Sequence, residues 1–314
     1  MLISIIVPCY NEQEVLPLFY DEITRVFGLL PEYSFEVVMV NDGSRDQTLS
    51  VMKELAKEDG RFKYISFSRN FGKEAAMYAG LDYSGGELVT VMDSDLQDPP
   101  ALLPEMIGYI VNDGFDSVAL RRVTRKGEPR LRSFFAQWFY RLINRMSDVE
   151  IVDGARDYRL MTRTMTDAIL SMAETHRFTK GICSWVGFDT KWLEYENRER
   201  AAGETKWSFW KLFVYAVEGI VGYTTVPLRL VTVSGLFFSL LAFLYLGYTL
   251  AKNLLFGVDL RGYPSTLAFM LMMGGIIMLA LGIIGEYLAK TYMETKKRPI
   301  YIAKESNMEK PKKQ

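Results

Sequence analysis

The sequence predicts an α/β protein, a mostly parallel and doubly wound sheet, carried on a pair of membrane-spanning helices. Three observations lead there. Short strand-like runs alternate with helical stretches in units of about 30 residues, the spacing of βαβ units. The runs are apolar without interruption, as in Val37-Val38-Met39-Val40, which fits strands buried on both faces. No charged residue occurs from 230 to 251 or from 262 to 285, and each run reaches the roughly 20 apolar residues that a bilayer-spanning helix requires.

The elements follow in order. Residues 2–7 read as a first strand rather than a signal peptide, because the run is short, has no basic residue before it and ends at Pro8. Residues 12–27 read as an amphipathic helix and 35–40 as a second strand. Asn41-Asp42-Gly43-Ser44 is a turn, and Asp46 or Ser44 can cap the helix that runs to Glu58. Residues 62–67 are a strand, 73–83 a helix ended by Gly85-Gly86, 87–92 a strand, 101–112 a helix and 115–120 a fifth strand.

Composition removes several classes of function. Lys plus Arg number 37 against 38 Asp plus Glu, so no global basic charge points to nucleic acid. A single histidine, His176, rules out a His-rich metal site. Cys9 and Cys183 fit no metal-ligand spacing and read as free thiols in a reducing compartment. No Gly-x-Gly-x-x-Gly follows the first strand and no Gly-x-x-x-x-Gly-Lys-Ser/Thr is present, which disfavours a dinucleotide fingerprint and a P-loop.

Polar residues instead collect where strands end. The run Val89-Thr90-Val91-Met92 stops at Asp93-Ser94-Asp95-Leu96-Gln97-Asp98-Pro99-Pro100. Successive side chains of an extended backbone face opposite sides, so Asp93 and Asp95 share an ion only if the chain turns at Ser94. Taken alone, a capped loop and a metal site fit this stretch equally well. Asn11 and Glu12 after the first strand and Asp42 after the second add further groups to the same sheet edge, where ligands of open α/β sheets bind. Hard carboxylates suit Mg²⁺ or Mn²⁺, which keep waters and bind substrate phosphates.

Six stretches carry a family resemblance. Pro8-Cys9-Tyr10-Asn11-Glu12, Val40-Asn41-Asp42-Gly43-Ser44-Arg45-Asp46 and Asp93-Ser94-Asp95-Leu96-Gln97-Asp98-Pro99-Pro100 resemble the family 2 glycosyltransferases of GT-A fold. Ser68-Arg69-Asn70-Phe71-Gly72-Lys73-Glu74, Asp157-Tyr158-Arg159-Leu160-Met161 and Gly203-Glu204-Thr205-Lys206-Trp207-Ser208 narrow the resemblance. They are similar to polyisoprenyl-phosphate glycosyltransferases, related to the dolichol-phosphate mannose synthases, and above all to the bacterial undecaprenyl-phosphate (bactoprenol) glucosyltransferases. The resemblance implies that Pro8, Tyr10, Asn11, Glu12, Asp42, Ser94 and Gln97 line the nucleotide-sugar site, that Asp93 and Asp95 hold Mg²⁺ or Mn²⁺, and that Asp157 is the catalytic base. The Gln-x-x-Arg-Trp motif of processive synthases is absent, since Gln137-Trp138-Phe139-Tyr140-Arg141 does not match it.

The expected reaction is inverting transfer of a single hexose, glucose from UDP-glucose, to undecaprenyl phosphate, for modification of a cell-envelope glycan. Alternatives are GDP-mannose, a UDP-N-acetylhexosamine or a UDP-amino sugar as donor, or a non-catalytic membrane scaffold. A phosphate monoester is largely ionised at neutral pH, so Asp157 either handles the last proton or orients a neighbouring Arg; pairing with Arg156 or Arg159 is its structural alternative. Arg122, Arg159 and Lys206 are the candidate ligands of the acceptor phosphate.

The expected organisation is a catalytic domain over 1–208, interfacial helices over 209–229, spans over 230–251 and 265–289 joined by an extracytoplasmic loop at 252–264, and a basic tail over 290–314. The tail carries Lys290, Lys296, Lys297, Arg298, Lys304, Lys310, Lys312 and Lys313. The positive-inside rule then puts the tail and the catalytic domain in the cytoplasm of a bacterial inner membrane. Gly274, Gly275, Gly282 and Gly285 permit close helix contact within one chain or in a homo-oligomer.

Overall fold

The computed structural model describes residues 1–122, 144–145, 152, 154–175, 177–195, 224–256 and 263–311. The strands are β1 (Leu2–Cys9), β2 (Ser34–Asn41), β3 (Phe62–Phe67), β4 (Leu88–Val91), β5 (Ser117–Arg122), β6 (Ala155–Thr162), β7 (Thr190–Tyr195) and β8 (Ala303–Ser306). The helices are α1 (Leu16–Phe27), α2 (Thr48–Glu58), α3 (Lys73–Tyr83), α4 (Leu103–Val111), α5 (Arg163–Ser171), α6 (Thr179–Trp185), α7 (Val226–Phe256) and α8 (Tyr263–Thr295). The first five strands fall where the sequence places them. The first helix begins at Leu16 rather than 12, and Pro100–Leu102 forms a turn of 3₁₀ helix before α4.

All eight strands make one mixed sheet in the order β7-β5-β6-β4-β1-β2-β3-β8. The core β3-β2-β1-β4 is parallel. Strands β6 and β8 run antiparallel to their neighbours β4 and β3. The chain builds β1, β2 and β3 in one direction and then returns to place β4 on the other side of β1. That reversal is a topological switch point, and the crevice beyond the carboxyl ends of β1 and β4 is the natural ligand site of such a sheet.

Alternation along the strands feeds two cores. Ile3, Ile5 and Val7 face one side with Leu16, Phe19, Ile23 and Val26, the buried stripe of α1. Ile6, Val38 and Val40 face the other side with Ala75, Ala76 and Ala79 of α3. Burying side chains of the size of Phe19 or Ile23 contributes roughly 1.5–3 kcal/mol each. Helix α3 lies so close to β1 that a Cβ on Gly80 would overlap Ile6 Cγ2. This contact fixes where the N-terminus of α3, with Lys73, meets the sheet edge.

Helices α7 and α8 hold 31 and 33 residues. They bury none of their apolar spans Val226–Tyr245 and Met272–Thr295 inside the protein. Leu236 and Phe243 are 74% and 77% exposed. Side chains of this size facing outward along two long helices require an apolar surround, which a bilayer supplies.

The basic tail is not a free extension. After α8 it returns to the sheet as β8, pairing with β3. Lys53 Nζ donates to Glu305 at 2.9 Å, Tyr301 Oη donates to Asp82 at 2.8 Å and Lys310 Nζ lies 2.6 Å from the same carboxylate. At the base of α8 the backbone N–H of Thr175 donates to Glu294 at 2.8 Å. The segment beyond α8 pairs with β3, so the chain leaves the α7–α8 pair at the end nearer the sheet. Of the expected interfacial stretch 209–229, residues 209–223 lie outside the described residues and 226–229 belong to α7; of the expected loop 252–264, residues 257–262 lie outside them and the rest belongs to α7 and α8.

Gly80→Val should cost about 1–3 kcal/mol by overpacking α3 against β1. A lowered thermal midpoint of the detergent-solubilised protein would record it; an unchanged midpoint would show that α3 has room to shift.

Candidate active site

The site begins with a register. Strand β6 pairs antiparallel with β4 as Leu88↔Thr162, Val89↔Met161, Thr90↔Leu160 and Val91↔Arg159. Carried two residues further, the same register sets Asp93 opposite Asp157. Opposed side chains of an antiparallel pair share a face, so two carboxylates meet at the mouth of the switch-point crevice. Like charges at that range repel, and the pair persists only with cations beside it.

Two lysines provide them. Lys73, the first residue of α3, places its Nζ 2.7 Å and 2.9 Å from the two carboxylate oxygens of Asp93 and 2.5 Å from Asp157 Oδ2. Lys180 of α6 lies 3.7 Å from Asp157 Oδ1 and donates to the Ala155 carbonyl at 2.8 Å. Burial alone would raise the Asp157 carboxyl, but the ammonium groups of Lys180 and Lys73 outweigh it and hold it well below the usual carboxylate range. Burial would lower Lys73, yet Asp93 and Asp157 raise it above its ordinary value. The ion-pair partners of Asp157 are Lys73 and Lys180, with Arg156 a weaker favourable charge nearby.

The flanking elements hold these groups in place. Glu74, next to Lys73, accepts from the backbone N–H of Thr179 at 3.0 Å and from the Thr179 hydroxyl, which ties the start of α6 and so Lys180 to the start of α3. Burial raises the Glu74 carboxyl. Asp98, with a side chain only 1% exposed, accepts from Arg156 Nε at 2.8 Å and from the Tyr195 hydroxyl. Arg156 also donates to Gln97 Oε1 at 3.3 Å. Strands β6 and β7 thus clamp the far end of the Asp-Ser-Asp loop. Within it Leu96 sits at φ 56°, a left-handed conformation that few non-glycine residues adopt, and Asp95 accepts from the Gln97 N–H at 3.2 Å. Ser94 is buried at the turn.

The residues after β1 line the opposite wall. Tyr10 is 42% exposed, while Pro8 and Glu12 are half-buried. Asn11, at φ 58°, accepts from the Arg45 N–H at 2.9 Å, and its own N–H donates to Ser44 Oγ at 3.0 Å. Asp46 rather than Ser44 serves the start of α2, accepting from the Thr48 N–H at 3.0 Å.

Three expected residues stand apart. Asp42 is 3% exposed and accepts from the N–H groups of Phe71 and Gly72 at 2.6 Å and 2.9 Å; both oxygens hold the loop before α3. Arg159 is 6% exposed, donates to Ser117 Oγ and Thr190 Oγ1 at 3.4 Å and 3.5 Å, and stacks over Trp192. It is part of the sheet interior. Arg122 is half-buried at the end of β5. Lys206, His176 and the basic segment from Arg125 to Arg132 lie outside the described residues. Cys9 and Cys183 are buried free thiols.

A divalent cation fits the donor set. Asp93 and Asp95 are hard oxygen ligands at one strand end, and Asp93 already gathers a cation between its two oxygens. Among the described residues no group of three acidic, His or Cys side chains surrounds the position.

Residues 4–170, more than half the chain, match the model of glycosyl transferase family 2. The chain belongs to that family. Residues 226–291 match a second model, the GtrB C-terminal hairpin, which coincides with α7 and α8. This family 2 glycosyltransferase is 45% identical over 308 residues to the putative glycosyltransferase CsbB of Bacillus subtilis (strain 168), covering 98% of this chain and 92% of that one. It is 44% identical over 304 residues to the prophage bactoprenol glucosyl transferase homolog of Escherichia coli (strain K12), covering 97% and 99%. A solved structure of glucosyl-3-phosphoglycerate synthase from Mycobacterium tuberculosis with Mn²⁺ and UDP-glucose is 17% identical at a TM-score of 0.45, covering 70% of this chain and 77% of that one, and it bears on neither site nor ligand here.

Sequence reasoning gave no role to Lys73, Lys180 or Asp98. Lys73 lay within the quoted Arg-Asn-Phe-Gly-Lys-Glu stretch, and that was its only signal; Lys180 had none.

Asp157 gives a signed pH effect. Its folded pKa lies below the unfolded carboxylate value of about 3.9, so its contribution is fully present above that value and is lost as pH falls towards the folded one. Thermal midpoints followed from pH 7 to 3 should fall more steeply for the wild type than for Asp157→Asn. Separately, Arg156→Met leaves Asp98 buried without its guanidinium and should cost about 3–5 kcal/mol, read by chemical denaturation.

Proposed function

We propose that the protein transfers one hexose, glucose from UDP-glucose, to undecaprenyl phosphate, in a single metal-dependent inverting displacement at the cytoplasmic face of the membrane. One observation carries the reading. The carboxylate-lined crevice of a family 2 domain is tied, through β8 and the base of α8, to two helices of bilayer length. An acceptor fixed in the membrane by its lipid suits a catalytic site fixed at that surface. The name of the Escherichia coli relative supports bactoprenol as acceptor and glucose as the sugar.

The chain's own residues divide the work. Asp93 and Asp95 would hold Mg²⁺ or Mn²⁺ together with the donor diphosphate. The metal, when bound, supplies neutralisation of the charge that develops on the departing nucleoside diphosphate. Tyr10, Pro8, Asn11 and Glu12 on one wall and Ser94 and Gln97 on the other would enclose the nucleotide sugar. Asp157, held ionised, fixes Lys73 and Lys180 rather than taking a proton. The acceptor needs little base, because a phosphate monoester with a second pKa of about 6 is mostly dianionic at neutral pH. Attack by its oxygen opposite the leaving group inverts the anomeric carbon. Arg122 and Lys206 remain the cations assigned to the acceptor phosphate. The positive tail and the catalytic domain, on one side of the bilayer, would be cytoplasmic, where nucleotide sugars are made.

Membranes containing the protein, given undecaprenyl phosphate, Mn²⁺ and a panel of radiolabelled nucleotide sugars, should move label from UDP-glucose into the organic phase. Label from GDP-mannose or a UDP-N-acetylhexosamine alone would replace the donor, and no label from any would remove the enzymatic reading. Asp93→Asn and Asp95→Asn should each lower transfer by roughly 10²-fold or more, the scale on which losing one charge-stabilising group acts.

A further inference from the structure

Lys73 is an unusual residue at its position. As the first residue of α3 it meets the positive end of the helix dipole, where a cation is disfavoured. Its ammonium has three donors, and three carboxylate oxygens lie within 2.9 Å of it: both of Asp93 and one of Asp157. The nitrogen straddles the two Asp93 oxygens, the chelating seat of that carboxylate. Its side chain is 43% exposed, against 24% for Asp93 and 19% for Asp157, so it is the most accessible member of the cluster. Lys180 differs: of the two carboxylates it approaches only Asp157, on the other oxygen.

We propose that Lys73 is a displaceable counter-ion that competes with the divalent metal for Asp93 and, once displaced, turns its freed donors to a phosphate oxygen while keeping Asp157. The inference rests on Asp93 being a metal ligand, as the proposed function has it. Two cations on one carboxylate repel at a few ångströms, so the metal and the ammonium cannot both hold Asp93 in its present geometry. The free enzyme then binds the metal weakly. Metal arriving with a nucleoside diphosphate binds better, because the phosphates add ligands and give the displaced ammonium a new partner. Lys73 is in this sense a positioning residue that couples metal uptake to donor uptake. The phosphate it meets belongs either to the donor diphosphate or to the acceptor monophosphate.

Mn²⁺ titrations of the purified full chain, followed by electron paramagnetic resonance, test this without turnover. Without nucleotide, Lys73→Met should bind Mn²⁺ about tenfold tighter than the wild type, as expected when a competing charge a few ångströms away is removed. Lys180→Met, which also removes one positive charge nearby, should change that affinity much less. Adding UDP should tighten Mn²⁺ strongly in the wild type and less in Lys73→Met if the diphosphate is the new partner. If the acceptor phosphate is the partner, the UDP effect is equal in both proteins, and a soluble short-chain polyprenyl phosphate tightens Mn²⁺ in the wild type alone. Lys73→Gln, closer in size, repeats the measurement should Lys73→Met lower the thermal midpoint. Equal or weaker Mn²⁺ binding in both Lys73 variants, beside normal uptake by the wild type, overturns the role of Lys73 alone. No Mn²⁺ uptake by any protein, with or without UDP, overturns the metal-dependent reaction as well.

Discussion

The antiparallel pairing of β6 with β4 is the constraint on which the rest of the site depends. Its register brings Asp93 and Asp157, 64 positions apart in the chain, to face each other at a strand end. Two facing carboxylates are stable only if neutralised, and the structure neutralises them from both sides: Lys73 between the pair and Lys180 beyond Asp157. The lysines must themselves be held. Gly80 lets α3 settle against β1, Asp42 shapes the loop before α3, and Glu74 joins α3 to α6. Several side chains distant from the crevice thus exist to aim two ammonium groups.

The same logic separates residues that hold the site from residues that face it. Asp98, Asp42 and Arg159 are charged, lie in or beside the recognised motifs, and are buried with their hydrogen bonds made inside the protein. A buried charge without partners is costly, so their neighbours are as constrained as they are. Tyr10, Asp93 and Asp95 remain accessible beside them. A motif therefore mixes contact residues with braces, and burial tells them apart.

Attachment to the membrane is equally a matter of tertiary structure. Helices α7 and α8 make almost no core of their own, yet the chain beyond them pairs with β3 and closes over Asp82 with Tyr301 and Lys310. The edge of the sheet is covered by the segment that emerges from the bilayer. An exposed edge strand would otherwise offer unpaired backbone groups, so one device protects the edge and fixes the catalytic domain to the hairpin.

The amino-acid sequence by itself determined the α/β alternation, the first five strands, the two bilayer-length helices and the polar strand ends with Asp93 and Asp95. These are local signals: hydrophobic period, run length and turn residues are written in adjacent positions. It left β6, β7 and β8 unassigned, because their partners are far away in the chain and nothing local marks Ala303–Ser306 as a strand. It also read Asp157 as a base and Arg159 and Asp42 as ligands, without the partners those side chains hold: Lys73 and Lys180, Ser117 and Thr190, and the N–H groups of Phe71 and Gly72. Only the tertiary structure decided those partners. Whether a charged side chain meets solvent, a lysine or a backbone N–H depends on which strands lie beside it, and the long-range β6–β4 register sets that.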